Sequence, residues 1–159
     1  TFFESADPEE VRAVEPANYL AFEAMDTFIL FDTKVYAVPD LAYRRGEEVV
    51  IYDWKTGRPR AADAGQLAVY TVYARQKWGV GAEQVETIDA YLPTDEVVTS
   101  RHTTEELAPV EERIEASMAE MRAMHFDADA SEGDPQAFPM VDAASGECRS
   151  CNFRELCDR

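Results

Sequence analysis

Two short runs rich in Val, Ile and Tyr, each carrying an acid, set the strongest constraint on this chain. The first spans Lys34 to Tyr43 and contains Val38-Pro39-Asp40; the second spans Glu48 to Lys55 and ends in Asp53-Trp54-Lys55. Both have the residue types of strands. Arg44-Arg45-Gly46-Glu47 between them is a turn signal, so the two runs are expected to form a hairpin. A hairpin brings Asp40 and Asp53 to one end of a sheet, where they can share a hard divalent cation with Lys55 beside them. That is the chemical kit for metal-assisted hydrolysis of a phosphodiester. The plain alternative is a surface ion pair, because Asp53 and Lys55 lie two apart on one strand face.

A second element follows directly. Thr56-Gly57 and a polar loop lead to Asp63-Ala64-Gly65-Gln66-Leu67-Ala68-Val69-Tyr70. Gln66 and Tyr70 are four apart and share a helical face. A third element closes the chain, Cys148-x-x-Cys151 followed by Cys157.

With these elements in this order, the chain resembles the PD-(D/E)XK nucleases, and within them the RecB-like branch. Val38-Pro39-Asp40 matches the first acid, Asp53-Trp54-Lys55 the Asp-x-Lys element, and Gln66 with Tyr70 the Gln-x-x-x-Tyr helix. The resemblance covers about Val38 to Cys157. It implies a restriction-endonuclease-like core, Mg²⁺ or Mn²⁺ as cofactor, and DNA as partner. It implies metal ligation by Asp40, Asp53 and the backbone carbonyl of Trp54. Lys55 would stabilise developing charge or position the attacking water, and Gln66 and Tyr70 would orient the strand or the lysine. An upstream acid often completes such sites. Glu15 is the candidate, with Glu23 in competition and a solvated turn residue as the other reading. In members with an iron–sulfur staple, three C-terminal cysteines and one upstream cysteine hold a 4Fe–4S cluster. Here Cys148, Cys151 and Cys157 have no upstream cysteine to join them. An N-terminal segment is therefore expected to be missing, and the staple incomplete. His102 or His125 completing a zinc site of three cysteines and one histidine is the alternative.

Composition bounds the rest. A chain of 159 residues with 46% hydrophobic content suits one domain with a real core. The core is expected at about 11–126, an acidic linker at 127–147 and the cysteine motif at 148–157. Neither a membrane-length apolar run nor a signal peptide is visible, and the bunched cysteines do not resemble a secreted disulfide frame, so a cytoplasmic protein is expected. The formal net charge is −17, with 15 basic against 32 acidic residues and only three lysines. That opposes phosphate binding, which draws on Lys and Arg. A high-salt setting, a high-GC genome or general solvation accounts for it, and a basic partner such as a helicase subunit is a further route to DNA.

Along the chain, Ser5 to Glu10 reads as a loop or short helix, and Val11 to Val14 with Tyr19 to Phe22 as a strand pair or broken edge strand. Thr27 to Phe31 reads as a buried strand. Asp63 is placed to cap a helix ended by Gly79. Glu86 to Leu92 and Val97 to His102 read as a hairpin. Thr103 and Glu106 form a capping-box pattern before a helix reaching about His125, with Leu107, Val110, Ile114, Met118, Met121 and Met124 on its apolar stripe. The expected fold is α+β, a mixed central sheet flanked by helices with a cysteine tail. The leading functional reading is a metal-dependent DNA nuclease, an exonuclease on single-stranded ends, in repair and recombination or in CRISPR adaptation. A catalytically inactive nuclease-fold module and a small zinc-stabilised interaction domain are the competing readings.

Overall fold

A computed structural model describes residues 8–127, 129, 132–133, 141–142, 144, 146–149 and 151–152. The chain divides into two compact units, Thr1–Ala116 and Ser117–Arg159.

The first unit is built on a five-stranded mixed sheet. Its strands are β1 (Tyr19–Phe22), β4 (Leu41–Arg45), β5 (Glu48–Lys55), β6 (Val85–Tyr91) and β7 (Glu96–Ser100), in the order β1-β4-β5-β6-β7. The β5–β6 pair is parallel and the other pairs are antiparallel. A parallel pair needs a long crossover, and helix α2 (Asp63–Trp78) provides it.

The β4–β5 hairpin closes on Gly46, whose positive φ of 65° supplies the left-handed turn a two-residue loop requires. Gly79, at φ 65°, ends α2 in the same way, with its N–H bonded to the Arg75 carbonyl.

The two sheet faces are filled by alternate residues of each strand. Ala42, Val49, Ile51 and Val85 pack with Leu67, Val72, Tyr73 and Ala74 of α2. Leu41, Tyr43, Val50, Tyr52, Ile88 and Ala90 form the opposite layer, against which Val11 and Val14 of α1 (Pro8–Ala13) pack. Helix α3 (Thr104–Ala123) adds Leu107, Val110 and Ile114 to the α2 side. Its start is held by the expected reciprocal bonds: Thr103 N–H to Glu106 at 2.9 Å and Glu106 N–H to Thr103 Oγ1 at 3.2 Å.

The expected run from Lys34 to Tyr43 is not one strand. It splits into β3 (Thr33–Ala37) and β4, and β3 pairs with β2 (Asp26–Leu30) in a separate two-stranded ribbon. Pro39 causes the break, since it has no N–H to give a ladder. The ribbon is clasped to α2. Phe28 packs on Tyr73, whose hydroxyl donates to Asp26 at 2.9 Å, and Lys77 pairs with Asp26 at 2.8 Å.

Three further expectations are corrected. Thr27 to Phe31 is only half-buried: Phe28 and Leu30 face the core while Ile29 is 58% exposed. Val11 to Val14 is not a strand, because Val11 lies in α1 and shares with Val14 the helical spacing that lets both reach the sheet. The stripe of α3 is not buried throughout, as Met121 is exposed. In the second unit the described elements are the last part of α3, β8 (His125–Asp127), paired with β9 (Glu132–Gly133), and a single turn at Glu147–Arg149.

Candidate active site

A cleft of about 470 Å³ opens where β4 begins and β5 ends; Asp40, Asp53, Lys55, Gln66, Tyr70 and Tyr91 are among its lining residues. Five of these six are the residues singled out in the sequence; Tyr91 is the addition. Asp53 and Lys55 share the α2-facing side of β5 because alternate residues of a strand share a face. Gln66 and Tyr70 point back at them from one face of α2.

A continuous hydrogen-bond chain joins the group. Lys55 Nζ lies 2.6 Å from Asp53 Oδ2 and donates to Gln66 Oε1 at 2.5 Å. Gln66 Nε2 donates to Asp53 Oδ1 at 3.0 Å and to the Tyr70 hydroxyl at 2.9 Å. The lysine and the carboxylate thereby fix the orientation of the Gln66 amide, oxygen towards the cation and nitrogen towards the anion. The Tyr70 hydroxyl lies 3.0 Å from both the Val38 carbonyl and Asp53 Oδ1, offering one proton to two acceptors. Tyr70 therefore ties the end of the ribbon to the second acid.

Asp40 is set by its neighbours in the same way. Its Oδ2 accepts the Trp54 N–H at 2.6 Å. The carbonyl of Trp54 points the same way, because the N–H and C=O of one strand residue lie on one side. Asp40, Asp53 and that carbonyl form an oxygen-rich donor set of the kind Mg²⁺ or Mn²⁺ takes. Among the described residues no three His, Cys, Asp or Glu side chains group as a metal site, so the backbone oxygen and water would complete the coordination. Burial raises the Asp40 carboxyl above its ordinary range, with the charges of Asp53 and Glu23 adding to it and the Trp54 N–H opposing. Burial works against the Lys55 charge, but Asp53 and then Asp89 outweigh it and the ammonium is held more firmly than usual.

The upstream acid beside this group is Glu23. β1 runs antiparallel to β4 with Phe22 opposite Leu41, which brings Glu23 to Asp40; its N–H donates to the Asp40 carbonyl at 2.9 Å. Glu15 precedes a turn at Pro16–Asn18 and lines a different depression, with Glu10, Arg44 and Arg45. The structure thus brings Asp40, Asp53, Lys55, Gln66 and Tyr70 together and leaves Glu15 outside.

Asp63 does not cap α2. Its carboxylate accepts the Arg60 N–H and the Tyr91 hydroxyl, each at 2.8 Å, and so anchors the loop that carries Arg58 and Arg60 over the cleft. Asp89 was not visible as a site residue in the sequence. It is the register partner of Asp53 across the parallel pair, is 1% exposed, and lies 3.7 Å from Lys55 Nζ through Oδ1. The available signal was an acid between Ile88 and Ala90 in a strand that follows the site helix.

Among the described residues no iron–sulfur or zinc arrangement is formed. Cys148 and Cys151 flank a short turn, with the Cys151 N–H bonded to the Cys148 carbonyl at 3.4 Å, and Cys157 lies outside the described residues. The His102 ring is engaged elsewhere: Nδ1 is 3.1 Å from Thr71 Oγ1, whose own proton goes to the Leu67 carbonyl. His125 falls in β8 rather than at the end of α3. No helix among the described residues is long and apolar enough to cross a membrane.

An Asp, an Asp-x-Lys strand and a following helix on one side of a mixed sheet define a class of nuclease scaffold. The chain belongs to the PD-(D/E)XK nuclease superfamily, whose family model matches residues 3–158. Members of this superfamily are typically metal-dependent nucleases using Mg²⁺ or Mn²⁺. Comparison with curated proteins finds no match.

Proposed function

We propose that this chain is a RecB-like, Mg²⁺- or Mn²⁺-dependent deoxyribonuclease domain acting on single-stranded ends. The observation that carries the proposal is the closed chain of bonds linking Lys55, Asp53, Gln66 and Tyr70, with Asp40 at the same cleft. The cation would be held by Asp40, Asp53 and the Trp54 carbonyl, with water completing the coordination, and the charge of Glu23 beside Asp40 would add to the negative field that attracts it. When bound it supplies charge that polarises the scissile phosphate and lowers the pKa of water.

The chain's own residues do the remainder. Lys55 stays protonated, so it acts as a permanent positive charge facing the phosphoryl oxygens and not as a base. Gln66 sets the distance between Lys55 and Asp53 by bonding both. Tyr70, kept protonated by burial and by the Asp53 charge, aims Asp53 at the cleft. Arg58 and Arg60 are exposed at its rim and supply phosphate contacts that the chain's net charge of −17 otherwise opposes. Work beside a helicase, in repair and recombination or in CRISPR adaptation, fits the RecB-like resemblance.

The test is cleavage of end-labelled single- and double-stranded DNA with Mg²⁺, Mn²⁺ or EDTA. Expected is cleavage that needs metal and is lost in Asp53→Ala and Lys55→Ala, with the fold kept. Equal cleavage by variant and wild type would overturn the assignment. Metal-independent binding without cleavage would instead support a non-catalytic module, the reading that the acidic composition favours.

A further inference from the structure

Asp89 is the one buried carboxylate in this region that the assigned roles leave unused. Its Oδ1 has no hydrogen-bond partner among the described residues. Its Oδ2 lies 3.4 Å from the Tyr91 hydroxyl, but that hydroxyl has a single proton and a closer acceptor in Asp63 at 2.8 Å. An unmade bond to a buried charged group is costly, so such an atom calls for an explanation.

The explanation lies with Lys55. An ammonium has three protons to donate. Two are taken by Asp53 Oδ2 and Gln66 Oε1. Asp89 Oδ1 stands 3.7 Å from the same nitrogen, just beyond bonding distance. Asp53 meanwhile has both oxygens engaged, Oδ1 by Gln66 and Tyr70 and Oδ2 by Lys55. Lys55, 2.6 Å from Asp53 Oδ2, would compete for that carboxylate with any divalent cation Asp53 came to hold. The lysine then needs another anion, and a short swing brings it to Asp89. The parallel register Asp53↔Asp89 puts the two carboxylates side by side on the face of neighbouring strands, one on each side of the lysine's reach.

We propose that Asp89 is a positioning residue for Lys55, a second anchor to which the ammonium transfers when a cation takes Asp53. The inference rests on Asp53 being a cation ligand. It explains why a carboxylate is tolerated with one oxygen unbonded: it is kept in reserve for a partner that arrives with the cation. Burial already makes its charged form costly, pushing its carboxyl up to about 6, and the approach of Lys55 would compensate.

The chain suits a direct test, because Lys34, Lys55 and Lys77 are its only lysines. Their ¹⁵N-labelled NH₃⁺ signals can be assigned with Lys34→Arg and Lys77→Arg, and an NH₃⁺ held by a carboxylate exchanges slowly enough to be seen. The first arm needs no cation. In Asp53→Asn the Lys55 signal is expected to persist at a new position, and in Asp53→Asn/Asp89→Asn to vanish. In the second arm Mg²⁺ is added: the wild-type signal is expected to move and persist, and the Asp89→Asn signal to be lost. Asp89→Asn is further expected to lower kcat about 10–100-fold with KM unchanged, since it alters a supporting contact and not substrate binding. Asp89→Ser removes the same charge should the Asn variant not fold. A Lys55 signal that survives in the double variant overturns the proposal. The expected first arm with no Mg²⁺ response in the wild type supports Asp89 as an anchor and overturns only the cation reading of Asp53.

Discussion

The carboxylate of Asp40 accepts the backbone N–H of Trp54 at 2.6 Å, from a position just outside the β4–β5 ladder. The ladder ends at the Leu41–Tyr52 pair, so no strand residue lies opposite Trp54, and a side chain takes the place of a carbonyl. This one bond fixes the first acid relative to the second, which is the residue before Trp54.

Two Asp40 substitutions are expected to part structure from chemistry. Asp40→Asn keeps an oxygen for the Trp54 N–H and removes the charge, so the melting temperature should hold while Mn²⁺ affinity and cleavage fall. Asp40→Ala leaves the N–H without its partner, and urea denaturation should show a further loss of about 1 kcal/mol. Equal stability of the two variants would contradict the role given to the bond.

Stability should carry the mark of Asp89. Its folded-state carboxyl titrates near 6, above the ordinary 3.8, because burial penalises its charge. A raised folded value favours the folded state in full below the unfolded pKa, and that contribution is lost as pH rises through about 6. Replacing Asp89 by Asn should therefore stabilise the fold at pH 8, by on the order of 1 kcal/mol, and leave it unchanged at pH 3.5. Thermal melts of both proteins across that range check this. A more stable but slower variant would be an ordinary trade between stability and activity.

Tyr70→Phe should keep the buried ring and lose only the hydroxyl. The Val38 carbonyl and Asp53 then lose a donor, and a cost of about 1–2 kcal/mol is expected in denaturant. Hydrogen exchange should rise in the ribbon β2–β3, whose end the hydroxyl holds. Unchanged protection there would place the ribbon's anchorage wholly at Asp26.

Arg58→Ala and Arg60→Ala are expected to weaken binding of single-stranded DNA about equally for all sequences, and each to reduce the salt slope of the affinity by about 0.7–1. Fluorescence anisotropy over a salt series with EDTA present measures this without cleavage. A slope that does not change would remove the loop from the interface.

Four of the residues that could be read in advance lie on regular elements. Asp53 and Lys55 follow from the two-residue period of β5, and Gln66 with Tyr70 from the four-residue spacing of α2. What escaped depends on tertiary placement. Asp89 alternates with apolar neighbours as an outward-facing residue would, yet β6 is an interior strand, between β5 and β7, buried on both faces, so alternation carries no information there. Glu23 and Glu15 could not be ranked, because only the β1–β4 register brings one of them to Asp40. Asp63 sits at a helix start, where a cap is the local expectation, but the Tyr91 hydroxyl from β6 and the Arg60 N–H claim it. The run through Pro39 is apolar enough for one long strand, and only the missing N–H divides it.

That division has a consequence for how the gene can change. Three residues, Val38 to Asp40, join the ribbon to the sheet; Val38 is pinned through its carbonyl, Pro39 is buried and Asp40 is held by Trp54. One codon added here would either push the acid away from the Trp54 N–H or turn it to the other face of β4. The opposite end of the ribbon, the Phe31–Asp32 turn, is exposed and lies beyond the clasp to α2. Lengthening there leaves the site untouched, so grafted peptides and natural insertions should collect at that tip and be purged from the junction.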